Sequence, residues 1–169
     1  RTALAAYGGK KNIVLAAFAQ GVPFKADGAA SPDLEQSVEP STEKAPDGAS
    51  AFCYRAENKG KAASGWGKLS MPFPKKLNLT KHRRLGLWIR SEGEGGILNV
   101  QIGAKDAMRD HYIPLERRAW TYVVLDPPED SRFYDYKWPY RWTDLMYTCH
   151  FVYHNAKELN LYYNGLHAG

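Results

Sequence analysis

Cysteine is scarce in this chain of 169 residues, which has only Cys53 and Cys149. Their separation matches no metal-binding spacing, so no zinc site is predicted from them. The two thiols could pair in an oxidising compartment or stay separate, and the sequence leaves both possibilities open. A chain of this length buries roughly two thirds of the surface that its unfolded form exposes, so it needs neither a disulfide nor a metal to fold.

Several other signals are missing as well. No apolar run approaches the roughly 18 residues of a membrane span. Residues 2–18 lack the compact apolar stretch and cleavage site of a secretory signal, and a chain that begins with Arg1 is expected to be a domain of a longer protein or a processed product. Helix-turn-helix, zinc-finger and phosphate-loop patterns are absent. We therefore expect neither a membrane nor a nucleic-acid partner.

The chain has an excess of positive charge, with a formal net charge of +5. The excess is clustered in short basic pairs and runs, at residues 10–11, 75–76, 81–84 and 117–118. One interpretation is that these residues lie in solvent-exposed loops, where charged side chains are common and need no binding partner. An anionic ligand is the other.

Short alternating segments dominate the pattern, and helical periodicity is nearly absent. Strands are predicted at residues 51–55, 66–73, 85–91, 97–103, 111–115, 120–125, 147–153 and 158–166. Residues 12–19 could form a strand or a short helix. The stretch 20–48 is rich in Pro, Gly, Ala, Ser and Asp, which predicts an irregular wrap or an interdomain arm. The fold class is all-β, an antiparallel β-sandwich of jelly-roll type, with residues 1–35 as an N-terminal arm or first strand and 36–169 as the sandwich.

The glycine-rich loop at residues 92–96 predicts a hairpin between 85–91 and 97–103. Alternation then places Leu85, Leu87 and Ile89 in the core. The outward face combines flat rings, neutral amides and a guanidinium, which is the chemistry that matches sugar hydroxyls. Its predicted members are Trp88, Arg90, Asn99, Gln101, Tyr112 and Tyr162, with Trp66 as a weaker candidate. The competing interpretation is that a loop covers Trp88 and that the amides only pair with one another across the sheet.

Every second residue from Tyr134 to Trp142 is aromatic. In an extended chain these five rings would line one side, either as a ligand platform or as a cover over the core. Pro139 favours an edge or a shaped loop. We favour the cover for most of the stripe and predict that one of Trp138 and Trp142 is buried, while the other is accessible and serves as an alternative ligand contact.

Several segments together resemble a known family. The run LGLWIRSEGEG at 85–95, followed by LNVQI at 98–102, looks like the central hairpin of carbohydrate-binding modules with a galactose-binding-domain-like β-sandwich. The segments DGASA at 47–51, WTYVVL at 120–125 and LYYNGL at 161–166 resemble other strands of that fold, in the same order. The resemblance covers about residues 36–166. It implies an extracellular or secreted module without catalysis, attached to a glycan-degrading enzyme, that binds a polysaccharide on its concave sheet or end loops.

The resemblance also implies a structural calcium near the chain ends and no organic cofactor. The comparable positions here are Glu39, Glu43, Asp47 and Asn164, and an amide oxygen such as that of Asn164 can ligate calcium. From the positive charge and Arg90 we further expect a preference for acidic glycans.

Two other functions compete with this prediction. One is a structural or protein-binding sandwich that only positions a neighbouring catalytic domain. The other is a jelly-roll polysaccharide lyase, because Arg90-Ser91-Glu92 and Gln101-Ile102 are similar to motifs of alginate-lyase-like enzymes, with His111 and Tyr112 as base and acid. Gly103 stands where those enzymes carry a histidine, which argues against the lyase.

Overall fold

A computed structural model describes residues 12–62, 64–82, 84–93, 95–104, 108–125 and 152–167 of the chain. These residues form ten strands: β1 Lys25–Ala29, β2 Leu34–Lys44, β3 Ser50–Asn58, β4 Gly65–Leu77, β5 Leu85–Ile89, β6 Ile97–Gly103, β7 Met108–Arg109, β8 Tyr112–Pro114, β9 Thr121–Leu125 and β10 Ala156–Leu166. No helix within these ranges is both long and apolar enough to cross a membrane.

The strands form two packed layers. One is a six-stranded antiparallel sheet in the order β1-β4-β10-β6-β7, with β8 also pairing with β6. The other contains two separate antiparallel pairs, β2-β3 and β5-β9. Alternating apolar residues of the large sheet, including Leu69, Val100 and Ile102, form the core together with apolar side chains of β3, β5 and β9. The predicted antiparallel β-sandwich is confirmed.

The predicted hairpin between the fifth and sixth strands was wrong. β5 pairs with β9, from Leu85 opposite Leu125 to Ile89 opposite Thr121, whereas β6 lies in the other layer. The loop between them has positive φ angles at Gly93, Gly95 and Gly96, a backbone conformation that glycine adopts without steric cost. These glycines let the chain cross from one layer to the other instead of turning back within one sheet.

The predicted irregular wrap at residues 20–48 was also wrong, because this stretch contains the whole of β1 and β2. In β2, Leu34 and Val38 are more buried than their neighbours, so burial alternates with the period of two that is typical of a strand, even though the composition is typical of turns. The predicted boundary between residues 35 and 36 falls inside this strand. Residues 12–19 form neither a strand nor a helix, although Phe18 packs edge-on against Phe52 with ring centroids 4.9 Å apart.

Other predictions fall partly or wholly beyond the described residues. Residues 152–154 form a helical turn instead of the end of a strand, and 147–151 lie outside the described part. The aromatic stripe with Trp138 and Trp142 lies outside it as well, as does Cys149. Cys53 is a free, half-buried thiol on β3.

His111 is the most deeply buried ionisable side chain of the described core, with no exposed surface. Its Nδ1 lies 2.9 Å from the carbonyl oxygen of Val100, which fixes the proton on that nitrogen, and Nε2 lies 2.7 Å from the Tyr153 hydroxyl. Burial lowers the pKa of His111 to about 4, against the opposing effect of the Val100 hydrogen bond. The ring is therefore a neutral structural bridge.

Acid should weaken the fold through this histidine. The unfolded chain takes up a proton near pH 6.5 and the folded chain only near pH 4, so the stabilisation is complete above the first value and is lost as the pH falls towards the second. The loss should total about 3 kcal/mol. Urea unfolding measured across this pH range should show that the free energy of unfolding falls as the pH falls. His111→Gln should remove this pH dependence. The pKa of Asp27 is lowered, so that carboxylate titrates below this window. An unchanged pH dependence in the variant would contradict the assignment.

Candidate functional site

The outward side of the six-stranded sheet carries a continuous set of polar and aromatic side chains, which we call the polar face. Strand register aligns Lys68, Tyr162, Asn99 and Tyr112 in one row across β4, β10, β6 and β8. The next row holds Ser70, Asn160 and Gln101. The face comprises Asp27, Trp66, Lys68, Ser70, Asn99, Gln101, Asp110, Tyr112, Glu158, Asn160 and Tyr162.

Rings of three aromatic residues lie on this face. Trp66 and Tyr112 are 38% and 37% exposed, which is unusual for such large side chains. Trp66 and Tyr162 are neighbours, with ring centroids 5.6 Å apart and planes inclined by 53°. Burial raises the pKa of Tyr162, so its hydroxyl stays neutral and can both donate and accept a hydrogen bond.

A charged cluster lies beside these rings. One oxygen of Asp27, on β1, accepts hydrogen bonds from Ser70 at 2.7 Å and from the Lys68 ammonium at 2.9 Å. The Ser70 bond and then the Lys68 contact lower the pKa of the Asp27 carboxyl. Burial alone would lower the pKa of Lys68, but its hydrogen bond to Asp27 and nearby negative charges raise it overall. The cluster is thus ionised at neutral pH and fixes the ammonium 5.8 Å from the centre of the Tyr162 ring.

A network of amides lies in the middle of the face. Asp110 Oδ1 accepts hydrogen bonds from Asn99 at 2.7 Å and from Gln101 at 2.8 Å. Asn160 donates to the Gln101 side-chain oxygen at 3.1 Å and to Glu158 Oε1 at 3.0 Å. The network therefore holds one oxygen of each carboxylate in place.

The three amide side chains are nearly inaccessible, at 5% exposure for Asn99, 6% for Gln101 and 1% for Asn160. Their amide hydrogens bond within the face, so they act as supports for other groups. The groups placed to meet a ligand are the rings and the half-buried carboxylates of Asp110 and Glu158. Flat rings beside fixed acceptors form a surface suited to a flat molecule that carries several hydroxyl groups.

The structure brings together five of the residues that the sequence singled out: Asn99, Gln101, Tyr112, Tyr162 and the weaker candidate Trp66. Placing Trp88 and Arg90 on the same surface was wrong, because β5 belongs to the other layer. Trp88 packs edge-on against Tyr122 at 5.2 Å, and Arg90 forms an ion pair with Glu43 at 2.8 Å. The remaining candidates, Trp138 and Trp142, lie outside the described residues.

Sequence reasoning missed Asp27, Lys68, Asp110 and Glu158 as members of the site. Lys68 lies two residues after Trp66 on β4, so alternation places both side chains on the same side of the strand, and this signal could have identified it. Asp27 lies in a stretch that was predicted to be irregular, and Asp110 lies between strands β7 and β8. Periodicity carries no information at such positions.

The four residues proposed for calcium do not form a common ligand set. Glu39 pairs with Arg55, Glu43 pairs with Arg90, and Asp47 accepts the backbone N–H of Ala49 at 3.0 Å. Asn164 lies on β10, in the six-stranded sheet. Within the described ranges there is no group of three or more acidic, histidine or cysteine side chains that could hold a metal ion. Calcium binding stays a prediction that these contacts do not support.

A two-layer antiparallel sandwich is the fold expected from the resemblance of the sequence to carbohydrate-binding modules. Comparison with solved structures bears out this fold. The structure is similar to a family 11 carbohydrate-binding module of the cellulosomal cellulase Lic26A-Cel5E of Clostridium thermocellum, with a TM-score of 0.61 and 11% sequence identity over 92% of this chain and 86% of the other.

A second similar structure is a family 11 module from the same organism in complex with a β-1,3-1,4-mixed-linked tetrasaccharide. It also has a TM-score of 0.61 and 11% identity, over 92% of this chain and 87% of that one. No protein-family model matches the sequence, and no curated protein does. At this identity the likeness establishes the fold.

Proposed function

We propose that the polar face binds a neutral polysaccharide, and that the protein is a carbohydrate-binding module without catalytic activity. The observation that carries the proposal is the row of Lys68, Tyr162, Asn99 and Tyr112, which joins two rings to hydrogen-bonding groups across four adjacent strands. A sugar ring presents an apolar face and a rim of hydroxyls. The exposed aromatic rings can stack on the apolar face of the sugar, and the fixed carboxylates can accept hydrogen bonds from its hydroxyls.

Charge on the face favours a neutral chain over an acidic one. Asp27, Asp110 and Glu158 contribute three carboxylates, and the ammonium of Lys68 is already bonded to the first of them. The sequence-based expectation of an acidic ligand relied on the overall positive charge and on Arg90, which lies on the other layer and pairs with Glu43. A uronate chain would meet like charges here, at a cost in binding free energy. A mixed-linkage β-glucan is the first candidate, because the similar module forms a complex with a β-1,3-1,4-mixed-linked tetrasaccharide.

The buried histidine argues against a lyase. Both ring nitrogens of His111 lie within hydrogen-bond distance of protein atoms, and its side chain is wholly buried beneath the face that exposes Tyr112. A base and an acid must both reach the substrate. His111 cannot do so without unpacking the core, which supports binding without chemistry.

Removing a ring from the polar face should weaken binding. Trp66→Ala and Tyr162→Ala should each lower the affinity for a mixed-linkage β-glucan oligosaccharide by about 1–3 kcal/mol, taking base-on-aromatic stacking as the nearest analogue. Calorimetric titration measures the loss. Trp120→Ala, which removes a half-buried ring from the β5-β9 side, is the matched control and should bind normally. Equal affinity in all three variants would refute the proposed site.

The same proposal includes the protein's location and the enzyme to which the module is attached. The fold supports an extracellular module that is attached to a glycan-degrading enzyme and targets it to its substrate. A structural or protein-binding sandwich is the alternative, and retardation in gels that contain polysaccharide separates the two. Migration unaffected by any neutral or acidic glycan would favour the alternative.

A further inference from the structure

A second candidate surface lies at one end of the sandwich, away from the middle of the polar face. Between Glu57 and Glu92 the sequence contains nine lysines and arginines and no aspartate or glutamate. Part of this stretch forms the end of β4 and the connection to β5. Since the net charge of the whole chain is only +5, the positive charge is concentrated in this segment.

Hydrogen bonds hold this segment against the turn that precedes β10. Leu79 donates its backbone N–H to the Tyr153 carbonyl at 2.7 Å, and Lys76 donates to the side-chain oxygen of Asn155 at 3.0 Å. Ala156 pairs with Leu77 at the adjoining ends of β10 and β4. The two segments therefore present one continuous surface, which we call the basic end. Its four exposed lysines are Lys75, Lys76, Lys81 and Lys157.

The lysines of the basic end differ in their surroundings from the ion-paired cations of the protein. Lys59 pairs with Glu35, Lys68 with Asp27 and Arg90 with Glu43. The four lysines of the basic end form no ion pair within the described part of the chain. The nearest acid along β10, Glu158, accepts a hydrogen bond from Asn160 and belongs to the polar face. Unpaired charges of one sign on a surface generate a potential that attracts a polyanion.

We propose that the basic end binds an acidic polysaccharide, a polyuronate, independently of the polar face. Lysines are flexible point charges, which suits carboxylates repeated along a chain better than a single fixed anion. The polar face does not offer such unpaired lysines, because the one ammonium group described there, that of Lys68, is bonded to Asp27. The inference does not depend on the neutral ligand proposed for that face. It gives the clustered positive charge a function that the rings and carboxylates do not provide.

Affinity electrophoresis in gels containing polygalacturonate tests the proposal. Lys75→Gln/Lys76→Gln should weaken retardation by about threefold to tenfold, since exposed charge contacts are individually weak. Lys59→Gln/Lys61→Gln is the matched control, with the same loss of charge near the opposite end of β4, roughly 30 Å away at about 3.3 Å per residue. The control should bind like the parent protein. Salt should weaken the parent's binding as the Debye length falls from about 10 Å at 0.1 M towards 3 Å at 1 M.

Two further measurements, one on the Trp66→Ala variant and one with duplex DNA, make the outcome decisive. Trp66→Ala should leave polygalacturonate binding intact while weakening β-glucan binding, so failure of one site is distinguishable from failure of the other. If both double-lysine variants lost the same amount of retardation, binding would depend only on the net charge of the protein, and the proposal would be overturned. The proposal would also be overturned if the parent protein did not bind polygalacturonate, or if the Trp66→Ala variant lost that binding. Tighter binding of duplex DNA than of polygalacturonate would overturn it as well.

Discussion

Replacing Asn160 with aspartate is expected to destabilise the fold by about 3–5 kcal/mol at neutral pH. The side chain is 1% exposed, and its amide donates to Gln101 and Glu158. A carboxylate would lose both donations and bring a negative charge against two acceptor oxygens, one of them on a carboxylate. A buried charge without a partner carries a penalty of this size.

The pH dependence of that variant separates a charge effect from a packing effect. The folded-state pKa of the introduced carboxyl should be raised, because burial and Glu158 both disfavour its ionised form. The loss of stability should then be largest above that pKa and should shrink as the pH falls through it. Asn164→Asp, on the same strand but only half-buried, is the control and should cost little. A loss independent of pH, or equal in both variants, would contradict the role given to Asn160.

Replacing Trp88 with alanine is expected to lower stability by about 3 kcal/mol and to leave glycan binding unchanged. The indole packs against Tyr122 on the layer opposite the polar face, and its Nε1–H is buried with no acceptor among the described residues. Loss of a packed aromatic ring leaves a cavity, and such a change lowers the melting temperature of a domain of this size by roughly 10 °C. Thermal unfolding and calorimetric titration measure the two effects.

Trp88→Phe is the control for this prediction. It keeps a smaller aromatic ring against Tyr122 and removes the buried N–H, so it should cost less stability than alanine. A Trp88→Ala protein that keeps its melting temperature but loses β-glucan binding would return Trp88 to the ligand site.

The fold class and half of the site could be predicted from the sequence, since both depend on a period of two. Asn99, Gln101 and Tyr162 were assigned correctly to an outward face because each alternates with buried leucine, valine or isoleucine. Strand pairing is a different kind of information. Leu85 to Ile89 suits an apolar partner in either layer, and only the course of the chain through Gly93 to Gly96 decides between β6 and β9.

The roles of the site residues were harder to predict than their positions. An amide on an outward face suggests a ligand contact, yet Asn99, Gln101 and Asn160 are buried within the face. Their partners, Asp110 and Glu158, determine this. Asp110 belongs to no strand, so no sequence pattern connects it with Gln101 nine residues earlier. Hydrogen-bond networks between separate segments can be identified only once the strands are assembled.

The central place of β10 has a consequence for how the protein acquires its binding surface. β10 lies between β4 and β6, although five of the described strands separate it from β4 along the chain. A chain emerging from the ribosome must therefore keep β4 and β6 apart, with unpaired edges, until β10 is available. Pairing of such distant segments slows folding and exposes edges that can aggregate. Because Tyr162, Asn160 and Glu158 lie on this strand, the polar face is complete only once β10 has paired with both β4 and β6.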